Sequence, residues 1–269
     1  MRFYLSTMGD FSMEQLPDGS YTTRHCPHTA AVAKEYGLGI ELAEFCLSDR
    51  LDGDAFTETD ALIRDKLALM PDCILHGPYN ELSPACIDPR ALQLTEYRYG
   101  QALRDARNYG AKKIVLHSGF NPMSYYPEWY RDRAVAFWRA FLQNHPGEEI
   151  FCLENVMENE PQILCDVLDA VDSPRLRLTF DVGHAHSRSD ISVFDWLDCW
   201  GGRISHFHIH NNFGKIDTHN PLDEGTIDMP RFLARALELC PGATFTVETM
   251  EAAPAARWLK AQGFLEKNV

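Results

Sequence analysis

Arg177-Leu-Thr-Phe-Asp181-Val-Gly-His184 holds the pattern that decides the fold. In an extended strand successive side chains point to opposite faces, so Leu178 and Phe180 share one face and Thr179 and Asp181 the other. The apolar face packs on helices, and the carboxylate points into the interior of a barrel. The same parity recurs in three more stretches. Phe151 and Leu153 oppose Cys152 and Glu154; Phe207 and Ile209 oppose His206, His208 and His210; Phe245 and Val247 oppose Thr244, Thr246 and Glu248. Interior charge is costly unless it is paired or metal-bound, so a polar residue ending strand after strand predicts a site.

Working outward, short apolar strands alternate with longer amphipathic stretches, the pattern of βα units around a parallel sheet. Eight strands are predicted: 3–6, 39–43, 73–76, 113–117, 150–154, 177–181, 204–208 and 244–248. Gly37 and Gly110 sit at helix-to-strand turns, where a left-handed C-cap residue is required. The chain has 269 residues, close to the roughly 250 of one eight-stranded barrel. No linker or low-complexity segment divides it. The expectation is an α/β fold, a single (β/α)8 TIM barrel over residues 1–269, with its site at the C-terminal ends of the strands.

Composition narrows the function. Asp and Glu number 39 against 25 Lys and Arg, a net charge of −14. That balance argues against nucleic acid as the partner, although metal-bound carboxylates inflate the figure. The N-terminal MRFYLSTMGDFS lacks the apolar core of a signal peptide, and no apolar run approaches membrane-spanning length. A soluble, cytoplasmic protein is expected. The eight cysteines, Cys26, Cys46, Cys73, Cys86, Cys152, Cys165, Cys199 and Cys240, form no C-x-x-C pair and read as reduced thiols. There is no nucleotide-binding fingerprint and no serine elbow.

Nine potential metal ligands lie at or just past predicted strand ends: His76, His117, Glu154, Asp181, His184, His208, Asp217, His219 and Glu248. Glu154, Asp181, His208 and Glu248 come from four neighbouring strands. This oxygen-rich, single-nitrogen set suits Mn²⁺ or Mg²⁺ and accepts Zn²⁺ or Co²⁺. A cluster of salt bridges is the alternative, but the inward acids outnumber nearby inward Lys and Arg. His76 and His117 could hold a second ion bridged by Glu154, and His184 with Asp217 and His219 forms a third group. Glu41 is an isolated strand acid that either reaches the pocket or pairs with a neighbour. Tyr125, Tyr126, Trp129 and Tyr130 form either an aromatic wall over a ligand or the packing of a long loop.

The strings LHGPY at His76, LHSG at His117, LEN at Glu154, FDVGHAH at Asp181, HIHNN at His208, DTH at Asp217 and VET at Glu248 resemble the xylose isomerase-like barrel superfamily. That superfamily includes sugar and sugar-phosphate isomerases and epimerases and the endonuclease IV (AP endonuclease family 2) enzymes. The likeness runs from about Gly37 to the C-terminus. The isomerase pattern implies Glu154, Asp181, His208 and Glu248 as a one-metal site with His184 touching substrate. The endonuclease IV pattern implies all nine residues as a trinuclear zinc site, and Tyr79 also matches it. Two departures stand out: Val156 to Glu160 replace that enzyme's glycine- and glutamine-rich loop, and Gly214-Lys215 stand where ketose epimerases carry a substrate-holding arginine.

Charge separates the chemistries. One divalent ion among three carboxylates leaves about −1, which suits a neutral polyol. Glu154 and Glu248 would then exchange a proton on carbon through a metal-stabilised enediolate, with His184, His210, Tyr79, Asn211 and Lys215 as substrate contacts. Three zinc ions among four carboxylates leave about +2, an electrophilic place for a phosphoester attacked by metal-bound hydroxide. The expectation is a metal-dependent isomerase or epimerase, using Mn or Zn, of a sugar, sugar phosphate or related polyol. A multinuclear zinc phosphoesterase is the alternative, and a non-catalytic carbohydrate-binding barrel is the least favoured.

Overall fold

A computed structural model describes residues 2–15, 21–25 and 28–265. Eight parallel strands close into a barrel: β1 (Phe3–Ser6), β4 (Gly39–Leu42), β5 (Cys73–His76), β6 (Lys113–His117), β7 (Ile150–Glu154), β8 (Leu176–Asp181), β9 (Ile204–Ile209) and β10 (Thr244–Val247). They neighbour one another in chain order, and β1 pairs with both β4 and β10. The remaining two strands, β2 (Phe11–Gln15) and β3 (Tyr21–His25), form an antiparallel hairpin in the first connection. The predicted strands agree with the barrel to within a residue at each end. The hairpin was not foreseen, although the Pro17-Asp18-Gly19 run followed by Tyr21-Thr22-Thr23 was a signal for it in the sequence.

Helices follow the strands for local reasons. In α3 (Pro89–Tyr109), Asp88 caps by accepting from the backbone N–H groups of Arg90 and Ala91, and Pro89 occupies the first turn. Gly110 ends it at φ 79°, as Gly37 ends α1 (Thr29–Tyr36) at φ 68°. The other helices are α2 (Gly53–Leu69), α4 (Pro127–Asn144), α5 (Gln162–Val171), α6 (Val182–Arg188), α7 (Val193–Trp200), α8 (Met229–Leu239) and α9 (Ala252–Ala261).

The parity argument appears in the core as two separate apolar clusters. The large one joins strand to helix and contains Phe151, Leu153, Leu178, Phe180, Phe207 and Phe245. The small one, Tyr4, Ile74, Val115 and Cys152, fills the barrel interior. A register shift at Leu178/Thr179 leaves Ser205 as an extra residue between β8 and β9, so Thr179 pairs with His206 and Asp181 with His208. Without that bulge Asp181 would lie beside Phe207. Seven cysteines are free thiols, and Cys26 lies outside the described residues. No described helix is long and apolar enough to cross a membrane.

Candidate functional site

Strand register gathers the predicted ligands at one mouth of the barrel. His117 pairs with Glu154 across β6 and β7, and His208 pairs with both Asp181 and Thr246. Glu154 is central and 1% exposed. One of its oxygens lies 3.3 Å from His76 Nε2 and 3.6 Å from His117 Nε2, and the other lies 3.2 Å from His208 Nδ1 and 3.3 Å from His184 Nδ1. His208 Nδ1 also sits 3.4 Å from Glu248 and 3.8 Å from Asp181. Beyond them, Asp217 lies 3.1 Å from both His184 Nε2 and His219 Nε2. Donors close enough to share an ion form the three expected groups: Glu154, Asp181, His208 and Glu248; His76, His117 and Glu154; and His184, Asp217 and His219. Two further groups overlap them, Glu41 with His76, His208 and Glu248, and His210 with His219 and Glu248.

Hydrogen bonds orient the imidazoles. His208 Nε2 meets Glu41 at 2.9 Å, so the proton sits there and the lone pair on Nδ1 faces Glu154 and Glu248. His76 Nδ1 meets the Gly77 carbonyl at 3.0 Å, and His219 Nδ1 meets the Glu248 carbonyl at 2.9 Å, which turns their Nε2 lone pairs inward. His184 Nδ1 meets the Asn155 carbonyl at 2.9 Å, turning Nε2 toward Asp217. In these tautomers lone pairs face carboxylate oxygens, and either a shared proton or a cation between them satisfies the contact. Buried polar atoms without a hydrogen-bond partner include Glu154 Oε2, His208 Nδ1, His210 Nδ1 and Asp217 Oδ1, all within this cluster. The donor set fits divalent ions.

The same crowding governs protonation. Burial opposes a charged His208, but Glu248, Glu154 and Glu41 outweigh it and hold its pKa well above the usual histidine range. Burial likewise disfavours charge on His219, yet Asp217 and Glu248 raise it to about 9. His117, with burial dominant over Glu154, falls to about 3. Burial pushes the Glu248 carboxyl up. For Glu154 the burial cost is overcome by His208 and His117, which keep it well below the usual carboxylate range.

A cavity of about 460 Å³ opens above these groups. Its lining includes His76, Tyr79, His117, Glu154, His184, Asp217, His219 and Glu248, together with Met8, Phe11, Leu47 and Arg50. Tyr79 stacks on His117 with ring centroids 4.0 Å apart. His210 lies beneath the cavity, 3.1 Å from Asp181 and stacked 3.9 Å from His219. Asn211 does not line it: its amide donates to the Leu222 and Ile227 carbonyls and its oxygen accepts from Asn212 and Ile227. Lys215 is exposed and also lies outside the lining. Tyr125, Tyr126, Trp129 and Tyr130 are absent from it too, and Tyr130 is buried against Phe120. Missed in the sequence were Phe11 and Arg50, which no periodicity marks. Glu41 is fully buried and holds His206 and His208, resolving its ambiguity in favour of pairing.

Fold and site together define a (β/α)8 barrel with a buried carboxylate–histidine centre at the C-terminal mouth of its strands. The chain belongs to the xylose isomerase-like TIM barrel family, whose model matches residues 30–268. It is 25% identical over 204 residues to the uncharacterized protein MJ1311 of Methanocaldococcus jannaschii, a match covering 69% of this chain and 66% of that protein. The match thus spans just under two thirds of that relative's length. In fold it is similar to a D-tagatose 3-epimerase-like protein, with a TM-score of 0.75, 20% identity and 97% of each chain covered. It is likewise similar to a Thermus thermophilus protein soaked with ZnCl2, with a TM-score of 0.71, 22% identity and 100% of each chain covered.

Proposed function

We propose that the protein is a divalent-metal-dependent isomerase or epimerase of a sugar, sugar phosphate or related polyol. The observation that carries this reading is the bounded cavity of about 460 Å³ with both Glu154 and Glu248 in its lining. A space of that size suits a monosaccharide-sized molecule. The likeness in fold to a D-tagatose 3-epimerase-like protein supports it, as does the acidic balance of the chain.

A divalent ion held by Glu154, Asp181, His208 and Glu248 would supply the positive charge that polarises a substrate carbonyl. Glu248 faces the cavity more openly than Glu154, with 8% against 1% of its side chain exposed. It takes the proton from the carbon beside the carbonyl, and the C–H electron pair moves into the new C=C bond of an enediolate while the carbonyl oxygen takes up negative charge. Protonation of the opposite face of that carbon by Glu154, once Glu154 has taken up a proton from water, gives the epimer; return of the proton to the neighbouring carbon, with that carbon's hydroxyl proton passing to the former carbonyl oxygen, gives the isomer. Tyr79 and His184 line the wall where substrate hydroxyls would be held. Metal-loaded protein should exchange a carbon-bound proton of at least one sugar in a panel into deuterated water. Glu248→Gln should slow that exchange about 10²- to 10⁴-fold. Absence of exchange across aldoses, ketoses and their phosphates would overturn the reading.

A second reading, a multinuclear zinc phosphoesterase, is favoured by one observation: Glu154 stands between two donor groups and a third is preformed around Asp217. Metal analysis separates the two. Three tightly held zinc ions with phosphoester cleavage would establish the second reading, and one exchangeable manganese would eliminate it.

A further inference from the structure

We propose that Arg50 is the specificity residue of this cavity and selects a polyol carrying an anionic group, a phosphoryl or a carboxylate. This rests on the isomerase or epimerase reading and narrows its substrate class. Among the described residues Arg50 is the only Lys or Arg in the cavity lining, where the other ionisable groups are carboxylates, imidazoles, the Tyr79 phenol and the Cys46 thiol. It is half-buried and forms no ion pair with any described residue. In a chain with 39 acidic residues, a guanidinium that no described carboxylate pairs, in the lining of an acidic site, is available to a ligand.

Its geometry suits that task. The guanidinium lies over the Phe11 ring at 4.8 Å. Stacking on a ring uses the flat face of the group and leaves its in-plane N–H bonds free to hold two oxygens of one anion. The platform is anchored from below. Lys66 Nζ lies 5.3 Å from the same ring and is itself buried between Asp10 at 2.5 Å and Glu44 at 2.6 Å. Asp10 is held in turn by Thr29, and Glu44 by Thr7. The cation expected from the β9 loop, Lys215, is exposed and lies away from the lining, so the positive contact comes from the β4 connection instead.

The test is calorimetric binding to metal-loaded protein, comparing D-fructose 6-phosphate with D-fructose and D-glucuronate with D-glucose. Wild-type protein should bind one anionic member about 10-fold or more tighter than its neutral counterpart, the effect of one charge-assisted pair. Whichever pair shows the difference identifies a phosphoryl or a carboxylate as the group recognised. Arg50→Gln should bring that ratio to within about two-fold of unity, and Arg50→Lys should retain part of it. A ratio unchanged in Arg50→Gln would assign the anion to the metal centre and overturn the proposal, as would no preference in wild-type protein. Binding needs no turnover, so the two readings fail separately. Loss of the ratio without proton exchange leaves Arg50 standing and removes the isomerase. Exchange on neutral sugars with no dependence on Arg50 does the reverse.

Discussion

At the scale of single residues, the site works through pairs in which one group orients another. Glu41 sits below the mouth and fixes the His208 ring by accepting from Nε2, leaving Nδ1 for a cation. Glu41→Gln should weaken metal affinity about 10- to 100-fold, measured by competition with a chelator, while the barrel stays folded. Protonation gives a second prediction. His219 is raised to about 9 and His208 well above its usual value, so metal-free folded protein holds protons that the unfolded chain releases near pH 6.5. Their contribution to stability is complete below about pH 6.5 and is lost as pH rises toward about 9. Denaturant unfolding of chelated protein across that window should show falling stability, and metal affinity should rise over the same range as the competing protons leave. A flat profile would mean that these histidines stay neutral in the folded state.

At the scale of elements, the segment from Asn211 to Asp228 carries Asp217 and His219 and is held from inside. Asn211 makes four hydrogen bonds to its backbone and pairs with Asn220 in an isolated bridge. A Cβ on Gly225 would lie 2.1 Å from Asn211 Oδ1 and 2.6 Å from the Asn212 carbonyl. Gly225→Ala should therefore displace this loop: in protein loaded at three sites, metal analysis should find the group at His184, Asp217 and His219 weakened, and in protein loaded at one site the four-residue centre should keep its ion. A uniform loss at every site would instead indicate damage to the barrel. In the sequence this loop is marked by the candidate ligands Asp217 and His219. Asn211 reads as a substrate contact in sequence, whereas in the folded loop its amide is engaged by the backbone of Leu222, Ile227 and Asn212.

At the scale of the whole molecule, a buried charge cluster ties the first two βα connections together. Lys66 on α2 reaches Asp10 and Glu44, and Thr7 joins Glu44 to the backbone N–H of Ala43. Lys66→Met would leave two carboxylates buried without their cation, and should cost about 3–5 kcal/mol in denaturant unfolding. Strand positions, parity and the nine candidate ligands were legible in the sequence because alternation along a strand is a local property, and a parallel barrel necessarily brings its strand ends to one rim. Glu41, Arg50 and Phe11 were not legible as a site, since their meaning depends on neighbours distant in the chain: Glu41 on His206 and His208, and Arg50 on the Phe11 ring. The sequence by itself determined the barrel and which residues end its strands. Only the tertiary structure decided which histidine nitrogen faces inward, which polar residues are consumed by the loop, and which cation borders the cavity, because these follow from through-space contacts that spacing does not encode.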